Sequence, residues 1–173
     1  MILALDAGKK GALVLGAPVF CVEKIVHFQP KHFQKLAGGG AVFSKAFVEE
    51  LRSLPTPEKI IIEKQVPLPN DTPRTAFSIA LLYSSLIHCL QTAFPDTRIF
   101  TISPKVWQSQ IMQENDALLP TTKETSIYFA QKFLKKEQLI PKSCRKPHDG
   151  IADAFCIFYI SQKKPQCLKQ LIS

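Results

Sequence analysis

The chain has 173 residues, enough for one domain (1–173) with its own core, and 46% of them are apolar, an ordinary share for a globular protein. Twenty-two Lys and Arg against fourteen Asp and Glu leave a net charge of +8, which favours a polyanionic partner, most simply nucleic acid. No run reaches the ~18 consecutive apolar residues of a membrane span, and Asp6 interrupts the N-terminal apolar run too early for a signal peptide.

Residues 1–6 read as a strand, wholly apolar up to Asp6, and such a run suits a strand buried on both faces. Asp6-Ala7-Gly8-Lys9-Lys10-Gly11 is a turn. Ala12–Leu15 resumes an extended apolar pattern and residues 19–28 supply a third β-rich stretch, so three strands form an antiparallel meander. Residues 29–40 read as a loop ending in Gly38-Gly39-Gly40, without the Lys-Ser/Thr ending of a phosphate-binding loop. Residues 41–54 have helical spacing, closed by Pro55 and Pro57. Lys59–Glu63 is a second wholly apolar strand, and like the first it ends in a carboxylate.

Thr72 can cap and Pro73 can start the longest helix, 74–93. Its small residues Ala76, Ala80, Ser84 and Ser85 allow a close neighbour, either a second copy of the chain or the sheet, and His88 reads as a core or interface histidine. Residues 98–102 form another buried-type strand. Ser103-Pro104 opens a short helix carrying Trp107, read as core before DNA stacking. A helix opens at Pro120-Thr121-Thr122 and runs to about Lys136, residues 138–147 form a basic loop, the last helix covers 149–162, and the tail from Lys163 is expected to fray. Five cysteines without a CxxC pair suit free thiols in a reducing compartment, hence a cytoplasmic location, or an intracellular one in a host if viral. Cys144 and His148 would make half of a zinc site, with no second half in the sequence.

Asp149 and Asp153 lie four residues apart at the mouth of the apolar run Ile151–Ile160, so they share a helical face. An ionised carboxylate entering a buried element needs a positive partner, a basic side chain or a metal ion. Asp6 and Glu63 end two buried strands; side by side and level, these bring two like charges together, which repel unless a cation lies between them. Three or four hard carboxylate oxygens in a basic protein suit Mg²⁺, and two such ions ~4 Å apart can clamp the attacking water and the leaving oxygen of a phosphodiester. Basic side chains would neutralise the nucleic-acid backbone. The candidates for DNA contact are Lys9, Lys10, Lys64, Arg74, Lys105, Arg145 and Lys146, and Lys123, at a helix start, is placed to help at the scissile phosphate.

These residues carry a resemblance. Leu3-Ala4-Leu5-Asp6-Ala7-Gly8 with Gly11, Ile61-Ile62-Glu63, Ile102-Ser103-Pro104 with Trp107, Lys123 with Ser126, and His148-Asp149-Gly150-Ile151-Ala152-Asp153-Ala154 span almost the whole chain. Their ordered set resembles the RuvC-type Holliday-junction resolvases, phage-type members especially, which are nucleases of the RNase H-like fold. The resemblance implies a mixed α/β architecture: a five-stranded sheet, three antiparallel strands then two parallel ones, flanked by helices. It implies a homodimer that nicks four-way DNA junctions symmetrically with Mg²⁺ or Mn²⁺, two ions per site, and leaves 5′-phosphate and 3′-hydroxyl ends. Asp6, Glu63 and Asp153 then become metal ligands and catalytic residues, with Asp149 favoured as the fourth and His148 as its alternative. Two departures stand out. Many bacterial members place the last two site residues three apart, and three before Asp153 is Gly150, which cannot ligate. Val66, Pro67 and Leu68 follow Glu63 where those members carry an aromatic residue.

Two other classes fit parts of the pattern. An inactive branched-DNA-binding module of the same fold would not need the intact acidic set. An actin-like or sugar-kinase ATPase also ends its first strand in Asp-x-Gly, but needs a second lobe and more glycine-rich loops than seven glycines supply.

Overall fold

The computed structural model describes residues 1–37, 39–115, 119–142 and 144–171; Gly38, the first of the three glycines expected to end a loop, lies outside them. In chain order the elements are β1 (Ile2–Leu5), β2 (Ala12–Ala17), β3 (Cys21–His27), β4 (Phe33–Lys35), β5 (Ala41–Phe43), α1 (Lys45–Arg52) and β6 (Lys59–Glu63). There follow α2 (Pro73–Ala93), β7 (Arg98–Ile102), α3 (Pro104–Glu114), α4 (Thr122–Gln131), α5 (Lys136–Leu139), α6 (Asp149–Lys163) and β8 (Lys169–Gln170). They fall into two compact units, one of Met1–Phe28, Glu58–Lys64 and Arg98–Ser173, the other of Gln29–Pro57 and Gln65–Thr97.

The first unit is built on one mixed sheet in the order β3-β2-β1-β6-β7-β8. β1, β2 and β3 pair antiparallel, and β6 and β7 add in parallel to β1, as the sequence leads one to expect. Both faces of the central strands are buried: Ile2 and Ala4 alternate with Leu3 and Leu5, and Ile61 with Ile60 and Ile62. A sixth strand departs from the expected five. After a 3₁₀ turn at Pro165–Cys167, Lys169 and Gln170 pair antiparallel with Thr101 and Phe100, and the Leu171 N–H reaches the Ile99 carbonyl. The tail that was expected to fray thus covers the backbone edge that β7 would otherwise leave unpaired.

α6 is the central helix of this unit and packs on β1, β2 and β6, with α3 and α4 beside it. It is apolar on nearly all sides, so every residue from Gly150 to Ser161 is buried except Asp153, which is partly exposed. Its first turn bridges backbone to backbone with the β1–β2 turn, Gly11 to Gly150. A Cβ at position 150 would lie 2.2 Å from the Lys10 carbonyl oxygen and 2.8 Å from the Gly11 Cα, so only glycine allows the approach. α4 ends at Gln131 rather than near Lys136. The chain turns through Lys132–Leu134 to bury Leu134, then starts α5 at Lys136 and runs it into the first residues of the expected basic loop; the Gln138 amide oxygen accepts the Lys135 N–H at 2.8 Å.

The second unit pairs β4 with β5 and packs α2 against β5 and α1. Residues 41–43, expected to begin a helix, form a strand instead, because Phe33–Lys35 offers them a ladder across a turn in which Gly39 and Gly40 take positive φ. α1 begins only after Ser44. In α2 the Thr72 hydroxyl caps the first turn by accepting the Thr75 N–H at 3.2 Å, and the Ser85 hydroxyl accepts the Phe43 N–H at 3.0 Å. α2 is long and apolar enough, by length and composition alone, to cross a membrane, although Ser84, Ser85, His88 and Gln91 interrupt its apolar character.

Replacing a helical glycine by alanine ordinarily stabilises by up to about 1 kcal/mol. At Gly150 the sign reverses. Gly150→Ala is expected to destabilise by about 1–3 kcal/mol through overpacking, read as a melting temperature lowered by several degrees in thermal denaturation; a raised melting temperature would show that the Gly11–Gly150 contact is dispensable.

Candidate active site

Each acidic residue enters at the end of a buried element. Asp6 follows β1 directly; its Oδ1 accepts the Gly8 N–H at 3.0 Å and its own N–H donates to the Ala12 carbonyl at 3.1 Å. The side chain therefore shapes the turn as well as facing the site. Gly11 closes the turn, since a Cβ there would lie 2.1 Å from the Asp6 carbonyl oxygen. Glu63 ends β6. Because β1 and β6 run parallel with Leu5 opposite Ile62, Asp6 and Glu63 are the next residues on strands whose spacing is about 4.8 Å. Asp149 is the first residue of α6 and Asp153 lies one turn further on, both held to the β1–β2 turn by the Gly11–Gly150 contact.

Electrostatics tie three of these groups to one another. Burial raises the Asp153 carboxyl from 3.8 to about 7; the Ser126 hydroxyl and Lys123 pull it down, while Asp6 and Asp149 push it further up. Burial likewise raises Asp6 from 3.8 to about 6, with Asp149 adding to the rise and the Gly8 N–H and Lys123 opposing it. The Asp153 Oδ1 is buried with no hydrogen-bond partner. An acceptor left in that state costs about 1–3 kcal/mol, so the site holds an unmet demand for a proton or a cation.

Lys123 is the basic group that answers part of this demand. It stands in the first turn of α4, which packs along α6, and its Nζ lies 2.7 Å from Asp149 Oδ2. Burial pulls the Asp149 carboxyl up, but the Lys123 hydrogen bond and charge, together with the Gly150 N–H, hold it below its usual range. Asp149 raises Lys123 in turn. The lysine side chain is 72% exposed, and an exposed pair is worth about 1 kcal/mol or less. Such a pair opens readily to another ligand.

His148 immediately precedes α6 without a side-chain capping bond, and its ring faces His27, 5.5 Å away between centroids. Burial lowers its pKa, which favours the neutral ring. Among the described residues no three His, Cys, Asp or Glu side chains stand in a ready-made metal-ligand arrangement. What the fold brings together is Asp6, Asp149, Asp153 and Lys123, with Glu63 on the adjoining strand end.

Of the expected DNA-contact residues, Lys9 and Lys10 are exposed in the β1–β2 turn and Lys64 follows Glu63. Lys105 is exposed in the first turn of α3, and Arg145 and Lys146 are exposed just before α6. Arg74 lies in the second unit, in the first turn of α2. Sequence reasoning missed the polar roles of two residues. Trp107 is buried as expected, and its indole Nε1 also donates to Glu63 Oε1 at 2.9 Å. Ser126 is buried beside Asp153; its spacing of three from Lys123, one helical face, was the available signal.

No protein-family model matches the chain, and no curated protein sequence does. Among solved structures, T. thermophilus RuvC in complex with a Holliday junction substrate has a TM-score of 0.54 at 14% identity, covering 98% of this chain and 98% of that one. A second Thermus thermophilus RuvC structure has a TM-score of 0.47 at 14% identity, covering 98% and 99%. The first likeness shows the fold: the chain has the RNase H-like architecture seen in RuvC.

The raised carboxyls carry a stability signature. Asp6 and Asp153 hold protons in the folded state that the unfolded chain releases near pH 3.8, so their contribution is present at low pH and is lost as pH rises through about 6 and 7. Without added metal, Asp153→Asn should raise the melting temperature at pH 8 by several degrees and change it little at pH 4. The comparison cancels carboxylates shifted the other way, such as Glu50. A variant that melts lower than the unsubstituted protein at pH 8 would refute the burial of an unbalanced charge at Asp153.

Proposed function

We propose that the chain is a divalent-metal-dependent endodeoxyribonuclease that resolves four-way DNA junctions, acting over its 173 residues as one nuclease domain and as a homodimer. The observation that carries this reading is the buried, unpartnered Asp153 Oδ1 beside two further carboxylates, at the point where β1 and α6 meet. The fold supports it, because a solved structure with the same architecture is a RuvC in complex with a Holliday junction substrate. The net charge of +8 supports a nucleic-acid partner.

The donor set fits hard divalent cations: all four candidate ligands, Asp6, Glu63, Asp149 and Asp153, offer carboxylate oxygen, which suits Mg²⁺ with Mn²⁺ as a substitute. When bound, a pair of such ions supplies charge stabilisation to the attacking and leaving oxygens of a phosphodiester. The chain's own residues then have separate tasks. Asp153, raised to about 7, is partly protonated at neutral pH and Asp6, raised to about 6, is largely ionised, so a bound cation would displace a proton chiefly from Asp153. Lys123 leaves Asp149 to meet a phosphate oxygen, a change that its exposed, weak ion pair permits. Lys9, Lys10, Lys64, Lys105, Arg145 and Lys146 neutralise the DNA backbone around the site, and Arg74 is a further candidate for DNA contact. The exposed Phe77, Ala80 and Ser84 on α2 support a surface for a second copy.

A panel of labelled four-way junction, linear duplex and RNA–DNA hybrid, incubated with Mg²⁺, tests the reading. Paired symmetric nicks confined to the junction are expected. Asp6→Asn should lower that cleavage at least about 100-fold, because losing a ligand forfeits several kcal/mol of charge stabilisation. Junction binding without cleavage in Mg²⁺ or Mn²⁺ would instead identify an inactive binding module, and ATP turnover without DNA an ATPase.

The fourth ligand is tested separately. Asp149 interacts electrostatically with Asp6 and Asp153 and pairs with Lys123, whereas the His148 ring lies against His27. Asp149→Asn is expected to lose cleavage and His148→Ala to keep most of it. The reverse pattern in single-turnover rates would transfer the ligand role to His148.

A further inference from the structure

We propose that Trp107 is a positioning residue for Glu63: its indole N–H holds the carboxylate in the one orientation that presents it to a divalent cation. This rests on the reading of Glu63 as a cation ligand. The pair is buried, Trp107 at 1% exposure and Glu63 at 9%, with Nε1 and Oε1 2.9 Å apart. The contact follows from the way β6 and β7 end. Glu63 lies opposite Ile102, the Lys64 N–H donates to the Ile102 carbonyl, and the chain then turns at Ser103-Pro104 into α3. Trp107, one turn into α3, is thereby brought back over the strand end that carries Glu63.

A buried indole N–H requires an acceptor, and a backbone carbonyl would meet that requirement. Here the acceptor is a carboxylate, and a charge-assisted hydrogen bond is shorter and roughly twice as strong as a neutral one. The terminal torsion of a glutamate is broad, so a fixed donor on one oxygen narrows the directions the carboxylate can take. Trp107 itself cannot shift easily, because it belongs to the core cluster with Ile61, Ile102 and Ile111. The rigidity of the core is thus passed through one N–H to the carboxylate. Partners of this kind commonly change metal affinity 10- to 100-fold when removed, by way of ligand orientation rather than charge.

Trp107 is also the single tryptophan of the chain, so its emission reports on this carboxylate without interference. Mn²⁺ should quench that emission saturably in the unsubstituted protein, and Mg²⁺ should reverse the quenching. Two altered proteins remove the donor: Trp107→Phe, and the chain with 3-benzothienylalanine at position 107, which keeps the indole shape with sulfur in place of N–H. Mn²⁺ affinity is read from the paramagnetic resonance signal of the free ion, with thermal melting of the metal-free proteins in parallel. Affinity about 10- to 100-fold weaker in the benzothienyl protein, at an unchanged melting temperature, is expected. Affinity within twofold of the unsubstituted chain overturns the proposal, even if Trp107→Phe fails to fold. Failure of the unsubstituted chain to bind Mn²⁺ overturns it too. Mn²⁺ binding that depends on the N–H, in a chain that cleaves no junction, upholds the positioning role and overturns the nuclease reading instead.

Discussion

The structure is organised by the burial of like charges where β1 meets α6. Asp6 and Asp153 are drawn into an apolar environment within reach of each other and of Asp149, and burial, the largest cause, together with the neighbouring carboxylates pushes both carboxyls up toward neutrality. An apolar residue at position 153 would remove the unpartnered Asp153 Oδ1 and its buried charge, whereas Asp6 also accepts the Gly8 N–H that shapes its turn. A protein that keeps such a group stores a binding demand at that point, and the surrounding elements are arranged around meeting it.

Close packing decides how the demand is shaped. The first turn of α6 touches the β1–β2 turn through two glycines, and that contact leaves no room for a side chain at position 150. A carboxylate three residues before Asp153 is sterically excluded, and the next position on the same face is 149. Asp149 also benefits as the first residue of its helix, where the positive end of the backbone dipole favours a negative charge. His148, one residue earlier, is turned toward His27 instead.

Magnitudes separate the two kinds of polar contact in the site. Lys123 and Asp149 form a short but exposed pair, which contributes little to stability and can exchange partners. Trp107 and Glu63 form a buried pair whose donor is embedded in the core and cannot leave. The first can change partners at little cost; the second is held in place by the core. One site thus combines a yielding electrostatic partner and a fixed one.

Much of this was legible in the residues themselves. Wholly apolar runs ending in Asp6 and Glu63 give central strands with charged ends, because a strand buried on both faces has no polar positions until it leaves the sheet. The four-residue step from Asp149 to Asp153 places both on one face of α6, by helical geometry alone. Local patterns misled where pairing was non-local: residues 41–43 join a strand, and the tail adds β8, because the partners Phe33–Lys35 and Phe100–Thr101 exist only in the folded chain. The sequence by itself determined the sheet's core strands, the acidic residues at their ends and the basic charge around them, all of which follow from local periodicity and composition. Only the tertiary structure decided that Lys123 lies on Asp149, that Gly150 must be glycine, and that Trp107 holds Glu63. Those are contacts across 26, 139 and 44 residues of chain, and distance in space between such positions is set by packing, which no local pattern encodes.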